Sequence, residues 1–511
     1  MVNLRFKLTV LLFFFMVSVC SLGVAQQQTT NPYNEPFRPQ LHFSPKAHWM
    51  NDPNGMVYFN HTYHLFFQYY PGGTVWGPMH WGHAVSKDLL HWQELPIALY
   101  PDSLGYVFSG SAVVDSNNTS GFGKNGKIPL VAIFTHHDPN GERAGTNNFQ
   151  NESIAFSLDE GHTWTKYSGN PVLKNPGIRD FRDPKVMWYA KGKKWVMTLA
   201  TKDHITFYSS PDLKTWTKES EFGKELGVHT GVWECPDLFP LKLNGKQYWV
   251  LVVNLNPGGP NGGSATEYFV GQFDGKEFVP VDHQIKWLDY GPDEYAGITW
   301  SNTGERKIFL GWMSNWNYAT QVPTVSWRSA MTIPRDLKLI SDNGNILLAS
   351  TPVKGILKLK QQPILAGNVQ VKKRYAVNAK ASTSAGRYLL DLQTNSLNDF
   401  ALELANSNNE KLIIGFDKIA NQYFIDRTKA GIHDFNKDFA GIFKAPRLSA
   451  NKSVKLTLVV DRASVELFAD GGATVMTCIF FTEKPLNKLT IVPGNAIHIK
   501  SLSIAGLRSI W

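Results

Sequence analysis

Acidic residues recur at similar places before short apolar segments in the first 350 residues. An acid stands twelve to fifteen positions ahead of four such segments, with Asp52 before Leu65, Asp183 before Trp195, Glu234 before Tyr248, and Asp293 before Ile308, whereas a fifth segment has Phe108 to Ser111 before it instead. The first three are followed by proline within two positions. Two carboxyl groups can cleave a glycosidic bond, because one attacks the anomeric carbon or activates a water while a protonated partner delivers a proton to the leaving oxygen. Any single acid–proline pair could simply begin a strand, but three at equivalent positions favour a shared site.

The apolar segments themselves form a repeat. They begin about 50–65 residues apart, at Tyr63–Tyr70, Ile128–Phe134, Trp195–Ala200, Tyr248–Val253 and Ile308–Met313. A Ser-x-Asp sequence followed by Trp returns between them at Ser86, Ser157 and Ser210. This pattern predicts an all-β fold with a five-bladed β-propeller over residues 34–345, and an irregular β-sandwich is the alternative. In a propeller, equivalent positions of successive blades surround one channel, so the acids would converge there.

The composition changes near residue 351. Fifteen of the 16 Trp residues lie at or before Trp327, and the segment 351–511 has 22 Lys and Arg against 12 Asp and Glu. Alternating strands such as Lys455 to Val460 and Ser464 to Phe468 predict a C-terminal β-sandwich over residues 355–511. Its basic start contains Lys354, Lys358, Lys360, Lys372, Lys373 and Arg374. No nucleic-acid-binding motif accompanies these charges, so we interpret them as a solvated surface and expect no nucleic-acid partner.

The N-terminus has the features of an export signal. Arg5 and Lys7 precede an apolar run from Leu8 to Val19, and Gly23-Val24-Ala25 offers small residues before a cleavage point at Gln26. This predicts a signal peptide over residues 1–25 and a secreted protein, extracellular or periplasmic. A lipoprotein signal that uses Cys20 is the alternative. Nothing downstream is apolar enough to span a membrane, and the remaining Cys235 and Cys478 are expected to be free buried thiols.

Several motifs resemble glycoside hydrolase family 32, the invertases, inulinases and levanases. The segment from Trp49 to Gly55, WMNDPNG, is similar to the signature of that family. Further matching blocks follow in the family's order: Phe108 to Ser111, Arg182 to Pro184, Trp233 to Asp237, Gly311 to Trp316, Val322 to Thr324, Trp327-Arg328, Asp461-Arg462, Ser464 to Glu466, and Phe468. The resemblance implies a five-bladed propeller plus a β-sandwich and the hydrolysis of β-fructosides with retention.

The resemblance also implies roles for the three acids. Asp52 would be the nucleophile that attacks C2 of fructose, and Glu234 the acid that protonates the leaving group and then deprotonates water. Asp183 would hold fructosyl hydroxyls and stabilise the oxocarbenium-like transition state. This division requires an ionised Asp52 and a protonated Glu234, with their carboxyl groups about 5–5.5 Å apart in a retaining enzyme.

Further residues match positions that shape the fructose pocket of the family. They are Asn51, Gln68, Trp76, Phe108, Ser109, Arg182 and Trp316. Gln68 lies on an apolar strand and could instead satisfy a backbone group, and Trp312 is a rival of Trp316. Asp293 is interpreted as a further sugar contact or a neighbour that tunes Glu234, with Asp289 as its rival.

The sequence therefore predicts a secreted β-fructosidase that releases fructose from the non-reducing ends of levan and inulin, and from sucrose. Phe108, where many invertases have Trp, disfavours a sucrose specialist. An endo-levanase, a fructosyltransferase, an inverting arabinan-cleaving propeller enzyme and a non-catalytic fructan-binding protein are the alternatives. No motif indicates a cofactor or a metal site, so none is expected. The sequence leaves open whether the protein is a monomer or a homo-oligomer.

Overall fold

The computed structural model describes residues 33–511, which are built almost entirely from β-strands. The predicted signal peptide and its alternative at Cys20 lie outside the described residues. The helices are α1 (Pro139–Arg143), α2 (Lys380–Thr383) and two short 3-10 helices, Ala190–Gly192 and Lys354–Leu359. Within residues 33–511, no helix has the length and apolarity to cross a membrane.

The first 22 strands form five antiparallel sheets, which we call blades 1 to 5 in chain order. Blade 1 contains β1 (His48–Phe59), β2 (Thr62–Tyr70), β3 (His80–Ser86) and β4 (Trp92–Leu99). Blade 2 contains β5 (Tyr106–Val114), β6 (Leu130–His137), β7 (Gln150–Ser157) and β8 (Thr165–Lys166). Blade 3 contains β9 (Phe181–Tyr189), β10 (Lys194–Thr201), β11 (His204–Ser210) and β12 (Thr217–Phe222). Blade 4 contains β13 (Val232–Leu243), β14 (Lys246–Asn256), β15 (Ala265–Phe273) and β16 (Phe278–Pro280). The last segment contains β17 (Tyr295–Thr299), β18 (Lys307–Met313), β19 (Trp327–Arg328), β20 (Ala330–Met331), β21 (Arg335–Asp342) and β22 (Asn345–Pro352).

The predicted five-bladed propeller is confirmed. Each apolar segment of the sequence repeat corresponds to the second strand of a blade, namely β2, β6, β10, β14 and β18. All strands of blade 5 come from the last segment, and the remaining strand of that segment, β19, joins blade 1 and pairs in parallel with β1, with His48 opposite Trp327. The end of the propeller chain is thereby hydrogen-bonded to its beginning, which closes the ring.

The repeated Ser-x-Asp sequence forms the turn between the third and fourth strands of blades 1, 2 and 3. Ser86 Oγ donates to Asp88 Oδ1 at 3.2 Å, and the same carboxylate oxygen accepts the backbone N–H of Leu90 at 3.0 Å. The equivalent Ser157–Asp159 and Ser210–Asp212 contacts are 2.7 and 3.2 Å. These side chains satisfy backbone groups that a tight turn leaves unpaired, which explains why the motif recurs in the sequence.

The remaining strands form the C-terminal β-sandwich. In chain order they are β23 (Ile364–Val371), β24 (Tyr375–Val377), β25 (Tyr388–Thr394), β26 (Phe400–Ala405), β27 (Lys411–Asp417), β28 (Gln422–Lys429), β29 (Ile442–Pro446), β30 (Lys455–Asp461), β31 (Ser464–Ala469), β32 (Thr474–Ile479), β33 (Lys488–Pro493) and β34 (Ile497–Gly506). Two six-stranded sheets, ordered β23-β34-β25-β30-β31-β32 and β24-β33-β26-β27-β28-β29, enclose buried side chains such as Leu390, Leu402 and Leu456. The domain bounds 34–345 and 355–511 stay predictions.

The two domains share an apolar contact surface. Buried residues of the propeller, including Leu41 and Trp300, belong to the same cluster as Val459, Phe468 and Val475 of the sandwich. Backbone hydrogen bonds cross this surface, such as the one from Tyr290 N–H to Val475 O at 2.8 Å. The sandwich is thus packed directly against the propeller.

Candidate active site

The first strands of the blades line the central channel and contact each other through side chains. Ser111 Oγ on β5 donates to the Pro184 carbonyl on β9 at 2.8 Å. The Cys235 N–H on β13 donates to Asp183 Oδ2 on β9 at 3.0 Å. Lys185 Nζ on β9 reaches the Thr299 carbonyl on β17 at 2.5 Å. Residues that are far apart in the sequence therefore meet on one axis.

Every first strand carries a β-bulge near its start, at the position of the candidate site residues. The register shifts lie between Met50 and Pro53, Val107 and Gly110, Arg182 and Lys185, Glu234 and Asp237, and Tyr295 and Ile298. A bulge places an extra residue on one strand and redirects its side chains. Asp183, Cys235 and Ala296 adopt φ values of 69°, 40° and 55°, a left-handed conformation that L-residues rarely take. The bulges thus turn the local chain so that polar side chains converge at one end of the channel.

The structure brings Asp52 and Asp183 together. Asp52 Oδ2 accepts a hydrogen bond from Ser109 Oγ at 2.7 Å, and its Oδ1 accepts one from Asn51 Nδ2 at 3.0 Å. The Cys235 thiol bridges the two aspartates, since its Sγ lies 3.6 Å from Asp52 Oδ2 and 3.6 Å from Asp183 Oδ2. The two carboxylates therefore flank one sulfur atom.

Glu234 completes the cluster through different partners. Arg182 donates to Glu234 Oε1 from Nη2 at 2.9 Å and from Nε at 3.2 Å, and its Nε lies 3.9 Å from Asp183 Oδ2. The Tyr295 hydroxyl donates to Glu234 Oε2. The Glu234 side chain is 22% exposed, whereas that of Asp183 is 5% exposed. Of these two acids, Glu234 is the more accessible to a substrate.

Burial and mutual repulsion shift the titration of the aspartates. Burial and the charge of Glu234 raise the pKa of Asp52, while the donors Ser109 and Asn51 oppose that rise. Burial raises the pKa of Asp183 to about 7; the guanidinium of Arg182 opposes this rise, and the charges of Glu234 and Asp52 add to it. Burial and the same carboxylates raise the pKa of the Cys235 thiol well above its ordinary value, so this group stays neutral. Perturbed acids of this kind are typical of functional sites.

Three of the predicted sugar-binding residues, Asn51, Ser109 and Arg182, contact the acids directly. Gln68 is buried, and its Nε2 donates to the Val107 carbonyl at 3.1 Å, which is the backbone role that the sequence left open.

Two aromatic pairs flank the cluster. Trp76, 40% exposed, stands edge-on to Phe108 with ring centroids 6.0 Å apart.

The second aromatic pair contains Trp316. Its ring lies against Trp49 at 5.8 Å, and Trp49 Nε1 donates to Asn51 Oδ1 at 2.7 Å. Trp316 is partly exposed, whereas its rival Trp312 is fully buried and packs edge-on against Tyr295 at 6.5 Å. Of the two indoles, Trp316 is therefore the one that a ligand can reach.

Asp293 does not lie in this cluster, which corrects the prediction that it contacts sugar or tunes Glu234. It is fully buried at the domain interface, where Arg427 Nη1 at 2.5 Å, the Ile479 N–H at 2.9 Å and the Tyr318 hydroxyl occupy its oxygens. Its rival Asp289 is also an interface residue and pairs with Arg335 Nη1 at 2.9 Å. The sandwich packs against this part of blade 5, so both aspartates are used for docking.

Tyr295 is the site residue that the sequence analysis missed. It stands at the bulge of β17, where the first strands of blades 1, 3 and 4 carry Asp52, Asp183 and Glu234. An alignment of the blades on their first strands would have placed Tyr295 in the cluster, but spacing from the second strand selected Asp293. In residues 33–511, no group of three or more His, Cys, Asp and Glu side chains is arranged to hold a metal ion.

The arrangement suits bond cleavage by paired carboxyl groups. One carboxylate, Asp52, is fixed by two neutral donors, and the other, Glu234, faces a cation on one oxygen and a phenol on the other. Aromatic rings beside them offer flat surfaces to the C–H faces of a sugar. Two carboxyl groups with different surroundings thus lie in one cluster, as cleavage by a nucleophile and an acid or base would require.

Comparisons with known proteins agree with this chemistry. Residues 42–352 match the family model of the glycosyl hydrolases family 32 N-terminal domain, and residues 356–505 match that of the family 32 C terminal domain. A levanase of Bacillus subtilis is 46% identical over 503 residues, which cover 94% of this chain and 72% of the levanase. An extracellular exo-inulinase of Aspergillus niger is 40% identical over 535 residues, which cover 97% of this chain and 98% of that protein.

Solved structures with the same fold are also similar in sequence. The crystal structure of an exo-inulinase from Aspergillus awamori superimposes with a TM-score of 0.86 at 37% identity, and covers 94% of this chain and 100% of that one. A β-fructofuranosidase from Schwanniomyces occidentalis, complexed with fructosyl-erythritol, gives a TM-score of 0.85 at 34% identity, with 94% and 99% covered.

Proposed function

Because the chain belongs to family 32 of the glycosyl hydrolases, we propose that it releases single fructose units from the non-reducing ends of levan and inulin, and from sucrose. The relatives named levanase and exo-inulinase support these substrates. We also propose that the protein is secreted, as its predicted signal peptide and the extracellular exo-inulinases among its relatives suggest.

The observation that carries the proposal is the arrangement of Asp52 and Glu234 at the end of a closed channel. Asp52 would attack C2 of the terminal fructose to form a fructosyl-enzyme while the glycosidic oxygen leaves. Glu234 would protonate that oxygen and then take a proton from the water that attacks C2. Asp183, 5% exposed and bonded to the Cys235 N–H, would hold fructosyl hydroxyls and stabilise the positive charge at C2.

The contacts of Glu234 indicate which oxygen carries the proton. Oε1 faces the Arg182 guanidinium, which has only donors to offer and disfavours a proton on that oxygen. Oε2 faces the Tyr295 hydroxyl, which can donate or accept. A proton on Oε2 can therefore be held by Tyr295 until the leaving oxygen arrives.

Removal of terminal rather than internal units is supported by the space behind the acids. The cavity there has a volume of about 10 Å³ and is lined by residues that include Pro53, Gly110, Pro184, Lys185 and Pro236. No sugar ring fits into it. A fructan chain would have to enter with its end first, and only one fructosyl unit would pass the acids.

The test is a time course of products from levan, inulin and sucrose, with Glu234→Ala as the control variant. We expect free fructose from the first minutes, with its anomeric configuration retained in the first-formed product. Removal of the acid and base should lower the rate by roughly two to four decades. Early oligomers would indicate endo cleavage, lengthened products would indicate fructosyl transfer, and an inverted product would exclude Asp52 as nucleophile. An unchanged rate in Glu234→Ala would refute the catalytic assignment.

A further inference from the structure

A second cavity opens at the rear end of the propeller channel, opposite the candidate active site. Its lining comes from the later parts of the first strands, whose earlier parts carry the acids. It has a volume of about 320 Å³, and its wall includes Lys185, Trp188, Asp237, Trp249 and Lys307. We call this cavity the rear chamber. Its volume is at the lower end of the range of roughly 300–1,000 Å³ that small-molecule sites occupy.

A layer of buried charge separates the rear chamber from the acids. Lys185 Nζ donates to the Thr299 carbonyl at 2.5 Å and lies 3.2 Å from Asp237 Oδ2, which also accepts the Thr299 N–H and hydroxyl at 2.6 and 2.7 Å. Lys185 lines both the small cavity behind the acids and the rear chamber. The rear chamber is therefore a separate compartment with its own opening.

The Asp237 carboxylate is only half satisfied. Its side chain is 1% exposed, and Oδ2 has all of the partners named above, while Oδ1 has none among the described residues. A buried carboxylate oxygen without a donor is unfavourable, because it has lost water without gaining a hydrogen-bond partner. A hydroxyl group of a ligand in the rear chamber would supply the missing donor.

Lys307 offers the complementary group. Its Nζ donates to the Gly304 carbonyl at 2.8 Å, and none of the residues 33–511 gives it a carboxylate partner within 4 Å. Burial lowers the pKa of this ammonium group. An ammonium group has three donors, so Lys307 can still donate to the oxygen of a ligand.

The walls of the rear chamber favour a ring with C–H faces. Trp188 is partly exposed and contributes an indole surface, Trp195 and Trp249 also line the wall but are 3% and 7% exposed, and Trp188 and Trp195 meet edge to face at 5.0 Å. Because Lys185 and Asp237 pair with each other, Lys307 is the one lining charge without an oppositely charged partner among the described residues, and the rear chamber has no cluster of cations for a highly charged ligand. Hydroxyl-binding groups between indole faces are the features that recognise a neutral sugar.

We propose that the rear chamber is a second sugar-binding site, which takes one neutral fructose ring between its indole walls, with a hydroxyl on Asp237 Oδ1 and an oxygen on Lys307 Nζ. The choice of fructose rests on the proposed function, because the reaction releases that sugar beside the protein. The site itself rests on the cavity and its unpartnered groups.

The experiment is a fructose titration of protein labelled with 5-fluorotryptophan, followed by fluorine NMR. Trp188→Phe assigns the resonance of the rear chamber, and Trp76→Phe assigns that of the candidate active site. Lys307→Met removes the donor but keeps the stem of the side chain, and Val114→Trp fills the rear chamber from the end of β5. Val279→Trp, on an exposed strand outside the rear chamber, is the matched control.

We expect a saturable shift of the Trp188 resonance in the unmodified protein and in Val279→Trp. Lys307→Met should raise the midpoint roughly tenfold or more, while the Trp76 response stays unchanged. Val114→Trp should abolish the Trp188 response. Absence of a saturable Trp188 shift in the unmodified protein would overturn the proposal, as would an unchanged midpoint in Lys307→Met, which keeps the test decisive if Val114→Trp fails to fold. Fructose release from levan, measured on the same samples, tests the proposed function separately.

Discussion

Two groups of buried acids in this molecule differ in how their charge is compensated. The candidate active site contains Asp52, Asp183 and Glu234, and Arg182 is the only cation bonded to any of them in the described chain. The second group lies at the domain interface and includes Asp289, Asp293, Asp461 and Glu466, with His42, Arg335 and Arg427; we call it the interface network. There, Arg335 pairs with Asp289 and Glu466, Arg427 pairs with Asp293, and His42 lies 2.8 Å from Asp461 and 2.9 Å from Glu466.

The titration of Glu466 and His42 reflects this compensation, although burial raises the pKa of Asp293 despite the guanidinium of Arg427. Burial would raise the pKa of Glu466, but Arg335 and His42 outweigh it and hold that pKa below its ordinary value. Burial would lower the pKa of His42, but Asp461 and Glu466 raise it to about 9. Asp183, in contrast, has its pKa raised to about 7. Glu294, buried beside the interface network, has neither oxygen paired, and burial raises its pKa to about 8, so it stays neutral at pH 7.

The comparison teaches which buried acids are available for chemistry. An acid whose oxygens are occupied by cations and backbone N–H groups stabilises the fold and has no free site for a substrate. Acids that share one cation repel each other, and a substrate that develops positive charge between them relieves that repulsion. Incomplete compensation combined with access for a substrate therefore distinguishes the candidate active site, since Glu294 is also unpaired but is fully buried.

The largest effect is expected from Asp52→Asn. This change removes the proposed nucleophile but keeps the shape of the side chain, so the rate should fall by roughly four decades, or about 5 kcal/mol of barrier. Stability should be unchanged or higher, because one of the repelling charges disappears. Single-turnover kinetics and urea unfolding measure the two quantities. Asp289→Asn is the control, and it should leave the rate nearly unchanged while it lowers the stability. If Asp52→Asn kept more than a few per cent of the rate, another group would be the nucleophile.

Arg427→Met tests the interface network. Arg427 is fully buried and donates to Asp293, to the Tyr318 hydroxyl at 2.8 Å and to the carbonyls of Phe439 and Ile479 at 2.6 and 3.0 Å. Removal of the cation leaves a buried carboxylate unpaired, which should reduce the free energy of unfolding by about 3–5 kcal/mol. The double variant with Asp293→Asn should recover part of that loss. A reduction below about 1 kcal/mol in urea unfolding would show that the pair is not buried in solution.

The interface network should lose stability at alkaline pH, because it contains His42. The pKa of His42 is about 9 in the folded protein and 6.5 as its ordinary value, so its contribution is fully present below about pH 6.5 and is lost as the pH rises through about 9. The loss should reach roughly 3 kcal/mol. Thermal unfolding between pH 6 and pH 10 measures it, with His42→Gln as the control that flattens the profile. A profile of the same slope in both proteins would contradict a protonated His42.

Asp183→Asn should stabilise the protein, whereas Asp293→Asn should destabilise it. The folded pKa of Asp183, about 7, lies above its ordinary value of 3.8, so burial of this acid weakens the fold progressively between about pH 3.8 and pH 7, and the full loss remains above pH 7. Above that pH, Asp183→Asn should add about 1–3 kcal/mol to the free energy of unfolding and should also impair activity. At pH 4 the gain should disappear. Equal effects on the free energy of unfolding at both pH values would mean that the pKa of Asp183 is not raised in the folded protein.

The sequence repeat predicted the propeller because each blade reproduces the same local pattern. The apolar second strand and the Ser-x-Asp turn are fixed by residues close in sequence, such as Ser86 with Asp88 and Leu90. The acids of blades 1, 3 and 4 were found for the same reason. Each lies on the first strand of its blade, next to the strand used for alignment.

The position of Asp293 could not be predicted from that pattern. Its spacing matches that of the other acids, but its partners Arg427 and Ile479 come from the sandwich, more than 130 residues later in the chain. The docking of that domain fixes the conformation of the segment before β17 and leaves Tyr295 at the bulge. The role of Asp293 thus depends on contacts between the two domains, and the spacing of residues within one blade carries no information about those contacts.

The smallest expected effect compares two buried tyrosines, each of which donates a hydrogen bond to an acid. Tyr295 donates to Glu234 in the candidate active site, and Tyr318 donates to Asp293 in the interface network. Tyr295→Phe should lower kcat about tenfold, or about 1.4 kcal/mol, with KM and stability nearly unchanged, because only Oε2 of Glu234 loses a hydrogen-bond partner. Tyr318→Phe should leave kcat unchanged and reduce the free energy of unfolding by about 1–2 kcal/mol, because Asp293 has no substrate to serve. Steady-state kinetics and urea unfolding of both variants measure these effects on kcat, KM and stability. If Tyr295→Phe lost stability rather than rate, the active-site acids would be compensated in the same way as the interface network, and the distinction between the two groups would fail.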